Sequence, residues 1–312
     1  MHTVQALSVL VAAALSPANP PSSPAIPATS HANACTTTAD QADAACRKQA
    51  RADYWLRRAT CTNLADDAAR LQCVHDAFAE LQDAKSSCGD QHAARLDVCA
   101  RLGGDPYDPA VDPRHFVQGI DNPWMSLVPG TTFVYENRGR GRGGVERNLV
   151  TVLSATEEIL GVECTTVHDV VFVDDERSED TLDWFAQDDR GNVWYFGELS
   201  YTLEHGRITD LGGSWRAGVD GAKPGIVMLA APRIGDFYRQ EFQIGVAEDL
   251  AAVLSLSDSV RVPAGSFQNC LLTEESSPLE PGAIEHKDYA AGIGLLLTIE
   301  DDGSRTELVE IR

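Results

Sequence analysis

The sequence predicts an α+β protein arranged by segments: an N-terminal disulfide-bonded helical segment, then an all-β antiparallel meander forming a barrel or half-barrel, with a sandwich as the alternative. Three observations carry that prediction. Six of the eight cysteines fall between residues 35 and 99. No Gly or Pro stands between Cys35 and Cys88. From about Asn122 the apolar period changes to two, with turn residues between short runs.

Residues 1–34 read as an export signal followed by a Pro/Ser/Ala-rich stretch. An apolar run, Val4 to Leu15, leads towards Ala32-Asn33-Ala34, a small-residue cleavage site. The run is too short to cross a bilayer, so no membrane insertion is expected. Ala32-Asn33-Ala34 lacks the aliphatic residue that a lipid-anchor signal places three positions before its cysteine, which disfavours an anchor at Cys35. The cysteines point the same way. Their number is even, their spacing is wide and no CxxC pair occurs, so they read as a disulfide framework in a secreted or periplasmic protein.

Residues 35–104 are the cysteine-rich helical domain. Tyr54-Trp55, Leu64, Leu71, Val74, Phe78 and Leu81 recur at three- and four-residue intervals. Thr62 or Asp66 is placed to cap a second helix, Ser87 to open a third, and Gly103-Gly104 to end it. Cys35 and Cys99, Cys46 and Cys88, and Cys61 and Cys73 are mirror-placed, which invites nested pairing among the 15 connectivities that six cysteines allow. Cys164 and Cys270, each central in a candidate strand, are expected to pair with each other, with two buried free thiols as the alternative. Pro- and Asp-rich residues 105–121 form a linker, and 122–312 the antiparallel β domain. Candidate strands include Thr131–Asn137, Val162–Val173, Thr181–Gln187, Asn192–Tyr201, Asp236–Phe242, Ala251–Leu256, Ser259–Val262 and Gly294–Glu300.

A formal net charge of −22 repels phosphate backbones and anionic lipid surfaces, so nucleic acid is excluded as a partner. Such acidity serves solubility or cation binding. Gly139, Gly141 and Gly144 match a dinucleotide fingerprint but lie between two strands, where no helix N-terminus is available for a pyrophosphate. Asp188–Asn192 resembles part of a calcium loop without its later Glu, and reads as a hairpin turn.

The hairpin around that turn carries the candidate site. With a four-residue turn at Asp188–Gly191, one face holds Leu182, Trp184, Ala186, Val193 and Tyr195. The other holds Thr181, Asp183, Phe185, Gln187, Asn192, Trp194, Phe196 and Glu198. Aromatic rings beside carboxylates suit neither open water nor a sealed core, and they suit a cavity for a ligand with apolar and polar parts. Thr181, Asp183, Phe185, Trp194, Phe196 and Glu198 are therefore the expected ligand-binding residues. His168, Glu241, Glu248, Asp249, Glu285 and His286 are the candidate ligands for a divalent cation. His168 also reads as a buried, hydrogen-bonded histidine. Asp183 and Glu198 form a candidate acid–base pair.

Asn122-Pro123-Trp124, Pro129–Glu136, Glu179–Asp188, Gly191–Glu198 and Leu279-Glu280-Pro281-Gly282 together resemble a family of uncharacterised exported bacterial proteins over roughly residues 105–312. That resemblance implies export and a domain boundary, and supplies no chemistry. The leading expectation is an exported non-catalytic protein binding a small molecule or cation in its β domain. A metal- or carboxylate-dependent hydrolase-like enzyme is the second. A protein partner meeting the helical segment is the third, and a large exposed apolar patch there would mark it.

Overall fold

Two long helices form from the Gly- and Pro-free stretch and the residues that follow it. α1 spans Ala34–Thr62 and α2 spans Asp67–Leu102. Asp66 caps α2, its carboxylate accepting from the Ala69 amide at 2.7 Å. The computed structural model describes residues 33–138 and 145–312. The expected export signal through residue 32 and the 139–144 loop lie outside the described residues.

Cys35–Cys99, Cys46–Cys88 and Cys61–Cys73 form the nested ladder. The expected third helix does not exist, because α2 runs unbroken through Ser87. Gly89, inside α2, lies against Arg47, where an added Cβ would come within 3.4 Å of the guanidinium. The residues buried between the helices are mostly alanine and cystine, so this pair has little apolar core and depends on its cross-links. Among the described residues no helix is long and apolar enough to cross a membrane.

After a 3-10 turn at Pro113–His115 the described residues make eighteen strands. The first are β1 (Phe116–Val117), β2 (Ile120–Asn122), β3 (Met125–Leu127), β4 (Thr132–Arg138), β5 (Val145–Ile159) and β6 (Val162–Val173). Next come β7 (Glu176–Asp188), β8 (Val193–Glu204), β9 (Arg207–Asp210), β10 (Trp215–Arg216), β11 (Lys223–Met228) and β12 (Phe237–Arg239). The last are β13 (Glu241–Phe242), β14 (Leu250–Val262), β15 (Gly265–Ser276), β16 (Ile284–Ala290), β17 (Gly294–Ile299) and β18 (Arg305–Ile311). The segment expected as a linker is packed: β1 pairs with β7, and the Tyr107 hydroxyl donates to the Pro224 carbonyl at 3.0 Å.

One antiparallel sheet follows the order β12-β14-β15-β16-β17-β18-β4-β5-β6-β7-β8-β11-β13. Its two ends, β12 and β13, are consecutive in the chain with only Gln240 between them. The ring of ladders is therefore nearly closed, and its last gap is bridged covalently at Gln240. This explains why Asp236–Phe242, expected as one strand, is two: it leaves one edge and joins the other. β11 meets the seam so closely that a Cβ on Gly225 would lie 2.4 Å from the Gln240 carbonyl carbon. Only glycine fits there.

Among the described residues of the β domain, two clusters of buried apolar side chains stand out. The larger includes Phe133, Tyr135, Val167, Phe185, Val193, Leu271, Tyr289 and Leu296. The smaller lies behind the β7–β8 hairpin, where Ile159, Cys164, Trp184, Phe196 and Trp215 pack beneath Val111 and Phe116. Cys164 belongs to the smaller cluster and Cys270 to the larger, and both are free, buried thiols. The expected bridge between them is thus corrected: the two strand-centre cysteines serve different cores.

Candidate functional site

The β7–β8 hairpin turns at Asp188–Asn192. Asp188 accepts from the amides of Arg190 and Asn192, from Asn192 Nδ2, and from Trp194 Nε1. All its capacity goes to the turn, as the hairpin reading requires.

The register differs from the expected one by a single residue: Gln187 pairs with Val193, Ala186 with Trp194 and Phe185 with Tyr195. Because side chains alternate, that shift moves Trp194 off the site face. Trp194 and Phe196 instead stack edge-on against Phe116 in the smaller cluster, at 6.2 and 5.5 Å. These two expected ligand-binding residues therefore lie in the smaller cluster, off the face that carries Asp183.

A bulge then restores the parity. Trp184 pairs with Gly197, leaving Phe196 as the extra residue, and Asp183 pairs with Glu198. Gly197 has φ +141°, and a Cβ there would lie 2.4 Å from the Trp215 carbonyl oxygen. Thr181, Asp183 and Phe185 of β7 thereby share a face with Tyr195, Glu198 and Ser200 of β8. Tyr195, which the expected register hid, is the ring that replaces Trp194. It stacks on Phe185 at 4.7 Å and donates to Asp183 at 2.6 Å. Gly197 inside a strand was the available sequence signal for this bulge.

From that face Asp183, Phe185 and Tyr195 line a cavity of about 590 Å³ inside the barrel, whereas Thr181 and Ser200 bond each other and do not reach it. Its apolar wall is Phe133, Tyr135, Val150, Val167, Phe185, Tyr195, Tyr289 and Leu295. Its polar wall is Asn148, Asp169, Glu179, Asp183, Glu285, Lys287 and Glu300. A second cavity of about 360 Å³ shares Glu285, Lys287 and Glu300 with it and adds Glu198, Glu241, Asp249 and Glu275. The two cavities are neighbours that share these three side chains, and the smaller is the more acidic.

Burial sets the electrostatics. It pushes Asp169 up to about 7, with the neighbouring Asp183 charge adding to the effect. Asp183 and Glu198 are likewise raised to about 7 by burial and by other carboxylates, against the Tyr195 hydrogen bond. Burial, then Asp249 and Glu198, raises Glu241 to about 9. Lys287 opposes this field. Burial works against its charge, yet Glu275 at 2.7 Å, Tyr289 and Glu285 hold its pKa well above the usual value. Asp169 Oδ1 and Asn148 Oδ1 are buried acceptors without a hydrogen-bond donor.

The expected metal ligands do not assemble. Among the described residues no group of three His, Cys, Asp or Glu side chains is arranged to hold a metal ion. Glu241, Asp249 and Glu285 line the acidic cavity. Glu248 is bound bidentately by Arg95 of α2 at 2.7 and 2.8 Å. His168 bonds Asp180 at 2.9 Å, and His286 lies 3.8 Å from Glu274. Away from the barrel, α1 and α2 expose Trp55, Leu56, Leu71 and Phe78 towards their far end, each more than half accessible.

Fold and cavity together define a disulfide-capped, nearly closed β-barrel with an acidic–apolar lumen. No protein-family model and no curated protein matches the chain. Among solved structures it is similar to a candidate lipoprotein from Parabacteroides distasonis, at 12% identity and a TM-score of 0.33, over 61% of this chain and 99% of that one.

Proposed function

We propose that this protein is an extracytoplasmic binding protein whose barrel lumen holds a small molecule with an apolar body and a cationic, N–H-donating group. One observation carries the proposal: the lumen presents buried acceptors without donors, Asn148 Oδ1 and Asp169 Oδ1, beside Asp183 and at the end of an aromatic wall. Burying such groups unpaired is costly, and an ammonium or amidinium would satisfy them while neutralising the carboxylates around them. The volume of about 590 Å³ falls within the range of small-molecule pockets. Three disulfides support a location outside the reducing cytosol.

The test is native mass spectrometry, with elemental analysis, of protein purified from the compartment it is exported to, followed by titration with hydrophobic amines. The expected result is a retained or saturably bound amine whose affinity drops at least about tenfold in Asp169→Asn. Saturable binding of neutral isosteres equal to that of the amines would sink the proposal.

A hydrolase-like reading rests on a different observation. Asp183 and Glu198 are paired across two strands, both have pKa values near 7, and Tyr195 stands between them. Such a pair can exchange a proton at neutral pH. Turnover of a glycoside or ester panel, abolished in Glu198→Gln, would favour it over binding alone.

A further inference from the structure

α2 packs on the seam of the barrel. Arg95 pairs with Glu248, Arg101 lies over the Phe237 ring at 3.4 Å, and Gln91 donates to the Leu279 carbonyl at 2.9 Å. Between the helices and the seam is a separate cavity of about 260 Å³. Its walls include Leu102, Tyr107, Phe242 and Ile244, and the Arg239 guanidinium lies against it.

Arg239 is 9% exposed, yet among the described residues no hydrogen bond or ion pair satisfies its side chain. It is held only over the faces of Phe242 and Tyr107, at 4.8 and 5.4 Å. A guanidinium carries five N–H donors in a fork that matches a carboxylate, and a buried charge without an acceptor is unfavourable. The other charged groups at the cavity do not supply one. Glu248 is occupied bidentately by Arg95, and Asp105 is exposed at the rim. Burial lowers the pKa of Arg239, against the opposing influence of Tyr107 and of the nearby Glu248 carboxylate. The Tyr107 hydroxyl is committed to Pro224.

We propose that this cavity is a second binding site, for a small organic carboxylate, with Arg239 holding the carboxylate in a fork and Leu102, Tyr107, Phe242 and Ile244 enclosing the apolar part. The size agrees. An apolar cavity of about 150 Å³ accommodates benzene, so about 260 Å³ has room for a ring bearing a carboxylate. Charge and position separate this site from the lumen. The lumen is acidic and selects cations, whereas here the charge without a partner is positive.

The test uses the oxidised full chain and isothermal titration with benzoate, hexanoate, benzamide and inorganic phosphate at neutral pH. Saturable binding of benzoate or hexanoate is expected, with benzamide and phosphate at least about tenfold weaker, and a loss of at least about tenfold in Arg239→Gln. No saturable carboxylate binding below about 10 mM, phosphate bound more tightly than both carboxylates, or unchanged affinity in Arg239→Gln each overturns the proposal. Should Arg239→Gln fail to fold, Ile244→Trp decides. It fills the cavity while leaving Arg239 in place, so it must abolish carboxylate binding, and unchanged binding overturns the proposal.

Discussion

Asp183 and Glu198 face each other across β7 and β8, and the Tyr195 hydroxyl, which donates to Asp183, lies within hydrogen-bond reach of Glu198 as well. Like charges directly opposite on a sheet repel, and burial amplifies the repulsion. Asp183→Asn removes one charge and keeps the shape and the hydrogen-bond capacity. At pH 8 this variant is expected to be more stable than the wild type, seen as a higher urea midpoint with an unchanged slope. Its affinity for hydrophobic amines falls at least about tenfold, since the ammonium loses a charged partner. A lower urea midpoint at pH 8 would show that the pair is not under strain.

Stability should fall as pH rises. Asp169, Asp183 and Glu198 have folded-state pKa values near 7, and Glu241 near 9, all raised above the roughly 4 expected of unfolded carboxylates. Between those limits the folded chain holds protons that the unfolded chain has lost, so unfolding becomes easier as pH increases from about 4 through 7 and towards 9. The stabilising contribution is fully present below pH 4 and is lost as these groups ionise in the fold. Calorimetry of the ligand-free protein is expected to give a Tm several degrees lower at pH 8 than at pH 5 (about 2–4 °C for each kcal/mol lost), with a shallower dependence in Asp183→Asn. A Tm that climbs across this window would contradict the raised values.

Amine binding should show the opposite pH trend. A cation favours the ionised carboxylates, so binding releases protons and tightens as pH rises towards 7, by up to about tenfold per pH unit for each proton released. Titration in buffers of different ionisation enthalpy measures that release directly. Zero proton release at pH 6.5 would mean that the ligand does not engage Asp169, Asp183 or Glu198.

Gly197→Ala tests whether the bulge builds the site. The added methyl meets the Trp215 carbonyl oxygen, and the backbone sits at a positive φ that suits glycine. β10 must then separate from β8 or the bulge must disappear. Losing the bulge alone would turn Glu198 away from Asp183 and the acidic cavity by parity. A loss of about 2–4 kcal/mol in urea stability is expected, together with loss of amine binding. Wild-type stability with wild-type affinity would remove the bulge from the account.

Much of this architecture was legible because local patterns decide it. The mirror placement of the six cysteines matches the observed ladder, and the Val162–Val173 strand has the expected bounds. The site was only half legible. Asp183, Phe185, Thr181 and Glu198 do share a face, but Trp194 and Phe196 do not, because one residue more in the turn reverses the side chains of β8 as far as the bulge at Phe196. No local propensity sets a turn length of four against five. Here the decision came from Asp188, whose carboxylate gathers Arg190, Asn192 and Trp194. Asn148, Asp169, Lys287 and Tyr289 reach the lumen from strands distant in sequence, so only the closed barrel reveals them. The split of Phe237–Phe242 around Gln240 is likewise a consequence of closure.

Closure also explains the contact between Arg95 and Glu248. Glu248 is 1% exposed and Arg95 6%, and their two hydrogen bonds tie α2 to the turn that follows β13. The turn is shaped by the same carboxylate, which also accepts from the Gly245 amide at 2.8 Å. Arg95→Met leaves that carboxylate buried with the amide alone, at an expected cost of about 3–5 kcal/mol. Arg95→Met with Glu248→Gln should recover a substantial part of the loss, since no uncompensated charge remains. Because β12 and β13 close the barrel beside this pair, Arg95→Met is also expected to loosen the seam, read as faster hydrogen exchange at Tyr238–Phe242. Disulfides intact and exchange at the seam unchanged, despite the stability loss, would mean that α2 rests on the barrel without bracing its closure.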